Sequence, residues 1–210
     1  RSNTGRTTAE MRQNALMALQ ADVVVAGAGI AGVSTAYHLS VDPGSNRIIL
    51  CDPRPPLTLT SDKSPACYRN WWPGPGDGMV ALMNRSIDLL EKWAELSGDS
   101  FHLSRRGYLY ATADERHLAR MHAQARSISA LGAGELRIHQ GLVTDPAYTA
   151  SESTVYRDSP AGADLFLGGD ALRRHFPFLS PATIGGLHAR RAGWFSAQQL
   201  GAWLLECAKE

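Results

Sequence analysis

The sequence has 210 residues with 21 Lys+Arg against 20 Asp+Glu, a formal net charge of +1, and is long enough to bury a core. Both charge signs are spread along the chain, so neither nucleic acid nor a strongly charged protein partner is indicated, and small-molecule chemistry is favoured. No apolar run is long enough to span a bilayer and residues 1–20 lack the parts of a signal peptide, so an intracellular, cytoplasmic protein with no membrane span is expected.

The first strong pattern in the chain is a strand, a glycine turn and a helix. Residues 1–20 are predicted to be a polar tail with a weak helix. The β-branched run that begins at Val23 is typical of a strand buried on both faces of a parallel sheet. The glycines at positions 27, 29 and 32 then give GxGxxG, and apolar residues recur after them at helical spacing. This is the order of elements in a dinucleotide-binding βαβ unit.

The glycine turn has the chemistry to hold a pyrophosphate. Gly27 permits the tight turn, Gly29 lets the backbone approach the phosphates without a Cβ in the way, and Gly32 lets helix and sheet pack closely. The phosphates then meet the positive end of the helix dipole. Ala28 and Ile30 complete the predicted cofactor-binding turn.

An acidic residue stands where a ribose-binding group is expected. Residues 47–51 form a second apolar strand, and Asp52 follows it, 20 residues after Gly32. Asp52 is predicted to accept hydrogen bonds from an adenosine ribose, which disfavours the 2′-phosphate of NADP. A strand-end acid before Pro53 with only a structural role is the alternative. NAD and FAD share the adenosine half, so this motif leaves both open.

The rest of the chain alternates between helix and strand patterns. Residues 53–76 are Pro-rich and are predicted to form a long ordered loop. Residues 141–169 are polar and rich in Ser, Gly and Asp, and are interpreted as an insertion or mobile loop. The predicted regular elements are a helix from Asp77 to about Ser97 stopped by Gly98, a strand at 106–112, a helix over 118–128 closed by Gly132, a strand at 135–139, a short helix from Asp170 to Pro177, a strand at 184–191, and a helix over 196–208 that begins with a Ser196–Gln199 capping box.

The stretch TSDKSPACYRNWWPGPGDGMVALMNRSIDLLEKW at residues 60–93, after VVVAGAGIAGVSTAYHL and IILCD, resembles the D-amino-acid oxidase (DAO) superfamily of FAD-dependent amine and amino-acid oxidoreductases. It is most similar to the sarcosine oxidase and glycine oxidase branch. RRGYLYAT, LRRHFPFL and RAGWFSAQQLGAWLLECA follow in the family's order, so the resemblance covers most of residues 21–208. It implies an FAD cofactor and oxidation of the C–N bond of a secondary amine or amino acid to an imine, with oxidase and dehydrogenase both open.

The resemblance also implies roles for three side chains. It places Thr60 and Ser61 near the flavin, where their hydroxyls can donate hydrogen bonds. It places Arg69 at the substrate carboxylate, a role suited to a planar, bidentate donor. Ordinary loop hydroxyls and an exposed surface arginine are the alternatives. Ala66 stands where sarcosine-oxidase-like members often carry a second basic residue, so the resemblance supports no specific claim for sarcosine.

Two aromatic pairs are further candidates for an amine pocket. Trp71 and Trp72 either wall such a pocket or form a hydrophobic plug. Tyr108 and Tyr110 lie on one face of their predicted strand, where core packing is favoured over a role in substrate binding. No His or Cys spacing fits a metal site, so no metal is expected.

These observations predict an α/β fold with a Rossmann-like FAD-binding βαβ domain and the start of a second, mixed α+β substrate domain. Residues 21–100 are assigned to the FAD-binding part, 101–192 to the substrate domain, and 193–210 to a crossover helix that returns to the FAD domain. That helix leads towards a strand the sequence does not contain. The expectation is therefore an N-terminal fragment that binds FAD weakly or not at all and does not turn over.

Two alternatives remain open from the sequence. One is a non-catalytic or decayed partner subunit, whose exposed sheet edge and apolar helix faces pair with another chain. The other is an NAD-dependent dehydrogenase or imine reductase, which requires only the first motif. The partner expected for the main hypothesis is a small-molecule amine or amino acid, with a partner chain or a C-terminal half completing the site.

Overall fold

A computed structural model describes residues 20–44, 47–151, 156 and 159–209. The chain forms two compact units: the first comprises Arg1–Leu59 with Leu204–Glu210, and the second comprises Thr60–Trp203. The boundaries predicted at residues 100 and 192 divide the chain by expected function, whereas these two units are defined by packing. The functional division stays a prediction.

The first unit contains the predicted βαβ motif. Strand β1 (Val23–Ala26) is followed by helix α1 (Ile30–Ser40) and strand β2 (Ile48–Cys51). The two strands are parallel, with Val23 opposite Ile48 and Ala26 opposite Cys51. Burial of β1 on both faces is wrong in this structure, because Val24 is 61% exposed while its neighbours in the strand are half-buried or exposed. Strand β1 is therefore covered on one face more than on the other.

The second unit is built on a four-stranded sheet in the order β4-β7-β6-β5. Strand β7 pairs antiparallel with β4 and β6, and β5 pairs parallel with β6. A separate antiparallel pair joins β3 to β8. The strands of this unit are β3 (Cys67–Arg69), β4 (Tyr108–Thr112), β5 (Leu136–His139), β6 (Ala163–Phe166), β7 (Gly185–Ala189) and β8 (Ala192–Trp194).

The helices follow the predicted amphipathic patterns. The apolar stripe of α3 is buried at Val80, Ile87 and Ala94, and Gly98 ends that helix with a left-handed φ of 64°. After α1, the helices are α2 (Thr60–Lys63), α3 (Gly78–Ser97), α4 (Glu115–Ile128) with a π-helical continuation over Ser129–Ala133, α5 (Gly169–His175) and α6 (Ala197–Cys207).

Helix caps agree with the sequence in part. The Ser196 hydroxyl accepts a hydrogen bond from the Gln199 N–H at 3.3 Å, as expected of a capping residue. Asp77 occupies the N-cap position of α3 without a side-chain capping bond. Asp170 is not the cap of α5, since Gly168 takes that position and Asp170 lies in the first turn. There its negative charge still interacts favourably with the positive end of the helix dipole.

Two of the predicted loops contain regular structure. The prediction of an insertion or mobile loop over residues 141–169 is wrong at β6, whose four residues are all buried. The sequence pattern does not indicate this strand because Asp164 lies in its middle, and aspartate is uncommon in strands. The long loop over residues 53–76 likewise contains α2 and β3, elements of only four and three residues.

The main core of the second unit lies between the four-stranded sheet and helices α3 and α4. Alternate residues of β6 and β7 point into it, as the period of a strand requires. Its buried members are Trp71, Val80, Ala125, Ile128, Ala133, Ala163, Leu165, Leu187 and Ala189. A second, smaller cluster contains Phe166 of β6 and Leu172 of α5 and is separate from the main core.

Candidate functional site

The glycine turn joins β1, β2 and α1 through backbone contacts. Gly27 has a φ of 104°, which an L-residue rarely adopts, and its N–H donates to the Cys51 carbonyl at 2.7 Å. A Cβ on Gly32 would collide with the Gly27 carbonyl oxygen, so the helix passes directly against the turn. The first and third glycines are therefore required by the fold itself.

Gly29 is different, because no contact among the described residues requires it to be glycine. It precedes α1 with a φ of −73°, and a Cβ built there meets no atom of those residues within 4 Å. Among the described residues no side chain caps this helix end. Open space beside a helix N-terminus is the setting in which proteins bind phosphate groups.

Asp52 lies beside this turn and is hydrogen-bonded to it. The Ala28 N–H donates to Asp52 Oδ2 at 3.0 Å, and the Arg54 N–H donates to Oδ1 at 2.9 Å. These two backbone hydrogen bonds, from Ala28 and then Arg54, lower the pKa of the Asp52 carboxyl. The group is therefore an anionic acceptor at neutral pH, with lone pairs left for a ligand hydroxyl.

A cavity of about 350 Å³ opens next to these groups within the first unit. Its wall is mainly apolar, with Asp52 and Arg54 as polar groups near Ala28. This combination suits a flat heterocycle attached to a hydroxylated sugar, as in the adenosine half of a dinucleotide. The lining residues are Ala28, Ala36, Ile48, Leu50, Asp52, Arg54, Pro56, Leu205, Ala208 and Lys209.

The hydroxyl residues assigned to the flavin belong to the second unit. Thr60 is exposed and begins α2, and the neighbouring Ser61 is buried. Their role near a flavin stays a prediction.

Arg69 lies on β3 and is held against aromatic rings. Its guanidinium carbon is 3.8 Å from the ring centroid of Trp72 and 5.7 Å from that of Tyr108. The Trp72 indole N–H donates to the Arg69 carbonyl at 2.9 Å, which fixes the indole beside the arginine. Arg69 is half-buried, and no described carboxylate forms an ion pair with it. Its donors are therefore positioned and available for an anionic ligand.

A cavity of about 230 Å³ adjoins Arg69. Trp71, which is buried, contributes to its wall, whereas Trp72 supports the arginine. Arg120 is a second arginine of the cavity that sequence reasoning missed; its only signal is its position on one face of α4. The lining residues are Arg69, Trp71, Pro73, Tyr110, His117, Arg120, Met121, Gln124, Ile128 and Leu187.

The two tyrosines of β4 lie on the cavity side of the sheet. Tyr108 and Tyr110 stack with their ring centroids 5.8 Å apart, and both are half-buried. Burial raises the pKa of Tyr110, and this effect is larger than the lowering caused by the positive charge of Arg69. A hydrogen bond with Cys67, together with burial, raises the pKa of Tyr108. Both phenols are thus neutral hydrogen-bonding groups at physiological pH, and the expected packing role extends to lining the cavity at Tyr110.

Neither membrane nor metal features are found in the described part of the chain. No helix there is long and apolar enough to cross a bilayer. Within the same residues, no three His, Cys, Asp or Glu side chains come together as metal ligands would.

Solved structures with a similar fold include several named as amino-acid or amine enzymes and one named as an L-α-glycerophosphate oxidase with FAD bound. Glycine oxidase from Bacillus cereus ATCC 14579 is 15% identical with a TM-score of 0.66, and the match covers 90% of this chain and 44% of that one. L-proline dehydrogenase from P. horikoshii is 17% identical (TM-score 0.68, 90% and 42% covered), and iminodiacetate oxidase from Chelativorans sp. BNC1 is 20% identical (TM-score 0.61, 89% and 44% covered). The chain thus spans less than half the length of these proteins. At this identity, the likeness shows the fold.

A comparison with curated protein sequences finds no match. The family model described as DAO, FAD dependent oxidoreductase, matches residues 22–210, which include the glycine turn, Asp52 and both cavities. This chain belongs to the DAO family of FAD-dependent oxidoreductases.

Proposed function

We propose that this chain is an N-terminal portion of an FAD-dependent oxidoreductase that oxidises the C–N bond of a secondary amine or amino acid to an imine. The observation that carries the proposal is the hydrogen bond from the Ala28 N–H to Asp52, which joins the ribose-binding acid to the glycine turn. Three structural neighbours have names that refer to glycine, proline and iminodiacetate, which supports amine chemistry, whereas another is named for a glycerophosphate.

The cofactor-binding set in this proposal has two parts. Gly27, Ala28, Gly29, Ile30 and Gly32 surround the pyrophosphate, and Asp52 accepts a ribose hydroxyl. Thr60 and Ser61 donate hydrogen bonds towards the flavin. When bound, FAD supplies the two-electron acceptor for the oxidation.

Arg69 has the substrate-binding role in this proposal. Its guanidinium offers a bidentate site for a carboxylate, and the aromatic rings beneath it limit its movement. The apolar residues of the adjoining cavity lower the polarity around the amine, which favours the neutral, reactive form. Arg69 therefore binds and orients the substrate and has no role in proton transfer.

The first experiment is an NMR titration of the ¹⁵N-labelled chain with ADP, FAD, NAD and NADP. ADP is expected to shift the amide resonances of Gly27–Gly32 and Asp52, and FAD to shift the same resonances only at higher concentration, because this chain is expected to bind FAD weakly. NADP is expected to bind more weakly than ADP because its 2′-phosphate meets the Asp52 carboxylate. Shifts confined to other residues would contradict the proposed site. A response to NAD but not to FAD would favour a dehydrogenase that uses NAD.

A pair of variants separates cofactor binding from folding. Gly29→Ala is expected to keep the wild-type melting temperature but to weaken ADP and FAD binding about tenfold, because the methyl group enters the phosphate space. Gly78→Ala, at an equally open position at the start of α3, is the matched control and should leave binding unchanged. Equal affinities for all three proteins would argue against phosphate binding at this turn.

A further inference from the structure

We propose that the cavity beside Arg69 accepts an amine that carries two carboxylates, with Arg120 as the residue that binds the second carboxylate. This inference rests on the proposed function, because it assumes that Arg69 binds the first carboxylate. It narrows the substrate class from amino acids in general to dianionic amines.

The first argument is the charge of the cavity. Its lining includes the arginines at positions 69 and 120 together with His117, and no Asp or Glu of the described residues lines it. Among the ion pairs of the described residues, neither arginine has a carboxylate partner. Two guanidinium groups that line one small cavity give it a positive charge that attracts anionic groups. A ligand with one carboxylate would neutralise only one of the two guanidinium groups.

The second argument is the origin of the two arginines. Arg69 comes from β3, whereas Arg120 comes from α4, where His117 and Gln124 lie on the same helix face at spacings of three and four residues. The cavity therefore receives cationic groups from two separate elements. This arrangement favours two carboxylates at separate points over one compact anion.

The third argument is the size and character of the remaining wall. The cavity measures about 230 Å³, which suits a molecule of amino-acid size. Trp71, Met121, Ile128 and Leu187 supply an apolar surface for the carbon chain and the amine between the two charged ends. Apolar surroundings strengthen each charge pair relative to water.

The test is a ligand titration of the 210-residue chain followed by tryptophan fluorescence, since Trp72 stacks on Arg69 and Trp71 lines the cavity. The probes are iminodiacetate, which has two carboxylates, and sarcosine, which has one. Iminodiacetate is expected to bind about tenfold more tightly, because it makes a second charge-assisted contact. That advantage should decrease as the salt concentration rises.

Variants then assign the advantage to one side chain. Arg120→Gln is expected to remove the preference for iminodiacetate while leaving the affinity for sarcosine unchanged. Arg126 lies on the same helix and is exposed like Arg120, but it lies outside the cavity lining; Arg126→Gln loses the same charge and should keep the preference. Arg69→Gln should weaken both ligands.

The outcomes separate this inference from the proposed function. If sarcosine binds through Arg69 and iminodiacetate binds no more tightly, the second carboxylate site is wrong and the amino-acid proposal stands. If neither probe binds while ADP shifts the glycine turn, the carboxylate roles of both Arg69 and Arg120 are wrong and the cofactor proposal stands. Inorganic phosphate binding as tightly as iminodiacetate would also overturn the inference, because one compact anion would then satisfy the site.

Discussion

His188 is a buried histidine that serves the fold rather than either cavity assigned to a ligand. Its Nε2–H donates to the Arg106 carbonyl at 2.8 Å, so its Nδ1 accepts the hydrogen bond from the Tyr148 hydroxyl at 3.1 Å. Both bonds require the neutral ring. Burial lowers the pKa of His188 to about 4, against an ordinary value of 6.5.

This pKa predicts acid destabilisation of the second unit. The unfolded chain takes up a proton at His188 near pH 6.5, whereas the folded chain resists protonation until about pH 4. The contribution of His188 to the free energy of unfolding is therefore fully present above pH 6.5. It decreases by up to about 3 kcal/mol on acidification to pH 4. Urea unfolding followed by tryptophan fluorescence at each pH measures the slope. His188→Gln should flatten it, and exposed His117→Gln should not; the same slope in both variants would contradict the assignment.

At the residue scale, the sequence indicates which residues lie close together where the order of elements along the chain determines it. The contact of Asp52 with Ala28 follows from the strand–turn–helix–strand order, because the carboxyl ends of adjacent parallel strands meet at one edge. Arg120 has no such signal. Its place in a cavity with Arg69 depends on how α4 packs against the sheet, and an exposed helical arginine looks like any other in the sequence.

At the level of elements, Asp164 of β6 connects three neighbouring segments of the sheet. Arg137 of β5 donates to it at 2.8 and 3.0 Å, and Arg190, just after β7, donates at 2.8 Å. His139 lies 2.9 Å from the same carboxylate. Burial by itself would raise the pKa of Asp164, but the hydrogen bonds and positive charges of these partners lower it to about 2.

Removal of this charge should be costly. Asp164→Asn leaves buried Arg190 and largely buried Arg137 without their anion, and is expected to decrease the free energy of unfolding by about 3–5 kcal/mol at pH 7. Asp88→Asn, which breaks a more exposed ion pair with Arg191, is the control and should cost less than about 1 kcal/mol. Similar midpoints in urea for both variants would show that the buried network is not stabilising.

The end of helix α3 allows the backbone requirement for glycine to be tested without a change in side-chain packing. Gly98 has a φ of 64°, and a Cβ built there meets nothing within 4 Å, so Gly98→Ala should destabilise the protein by about 1 kcal/mol through backbone strain alone. Gly78→Ala at the other end, also in open space, should be neutral or stabilising by a few tenths of a kcal/mol. Thermal melts should therefore give a lower melting temperature for Gly98→Ala and an unchanged or slightly higher one for Gly78→Ala; equal downward shifts would contradict this account.

The elements that sequence patterns predict best are those whose periodicity is long and uninterrupted. The stripe of α3 extends over 20 residues, and its stop at Gly98 is a local property. Strand β6 has four residues with a buried acid in the middle, so its identity depends on partners at positions 137 and 190. Short strands β3 and β8 likewise exist because they pair with each other.

For the whole molecule, packing divides the chain differently from the predicted functional parts. The predicted FAD-binding part, residues 21–100, includes helix α3, yet Val80 of α3 belongs to the same core as Leu165 and Leu187 of the four-stranded sheet. The first unit retains a two-stranded sheet and α1, together with the end of α6. Sheets of two strands are marginally stable by themselves.

This difference predicts that the two units unfold at different denaturant concentrations. All five tryptophans, at positions 71, 72, 93, 194 and 203, lie in the second unit, so their fluorescence reports that unit alone. Far-UV circular dichroism reports both units and is expected to begin changing at lower urea, which gives transitions that do not coincide. ADP binds the first unit in our proposal. At a concentration of about 100 Kd it should increase the free energy of unfolding of the earlier transition alone, by about 2.7 kcal/mol. Coincident curves would show one cooperative body, and a shift of the fluorescence transition alone would place the nucleotide in the second unit.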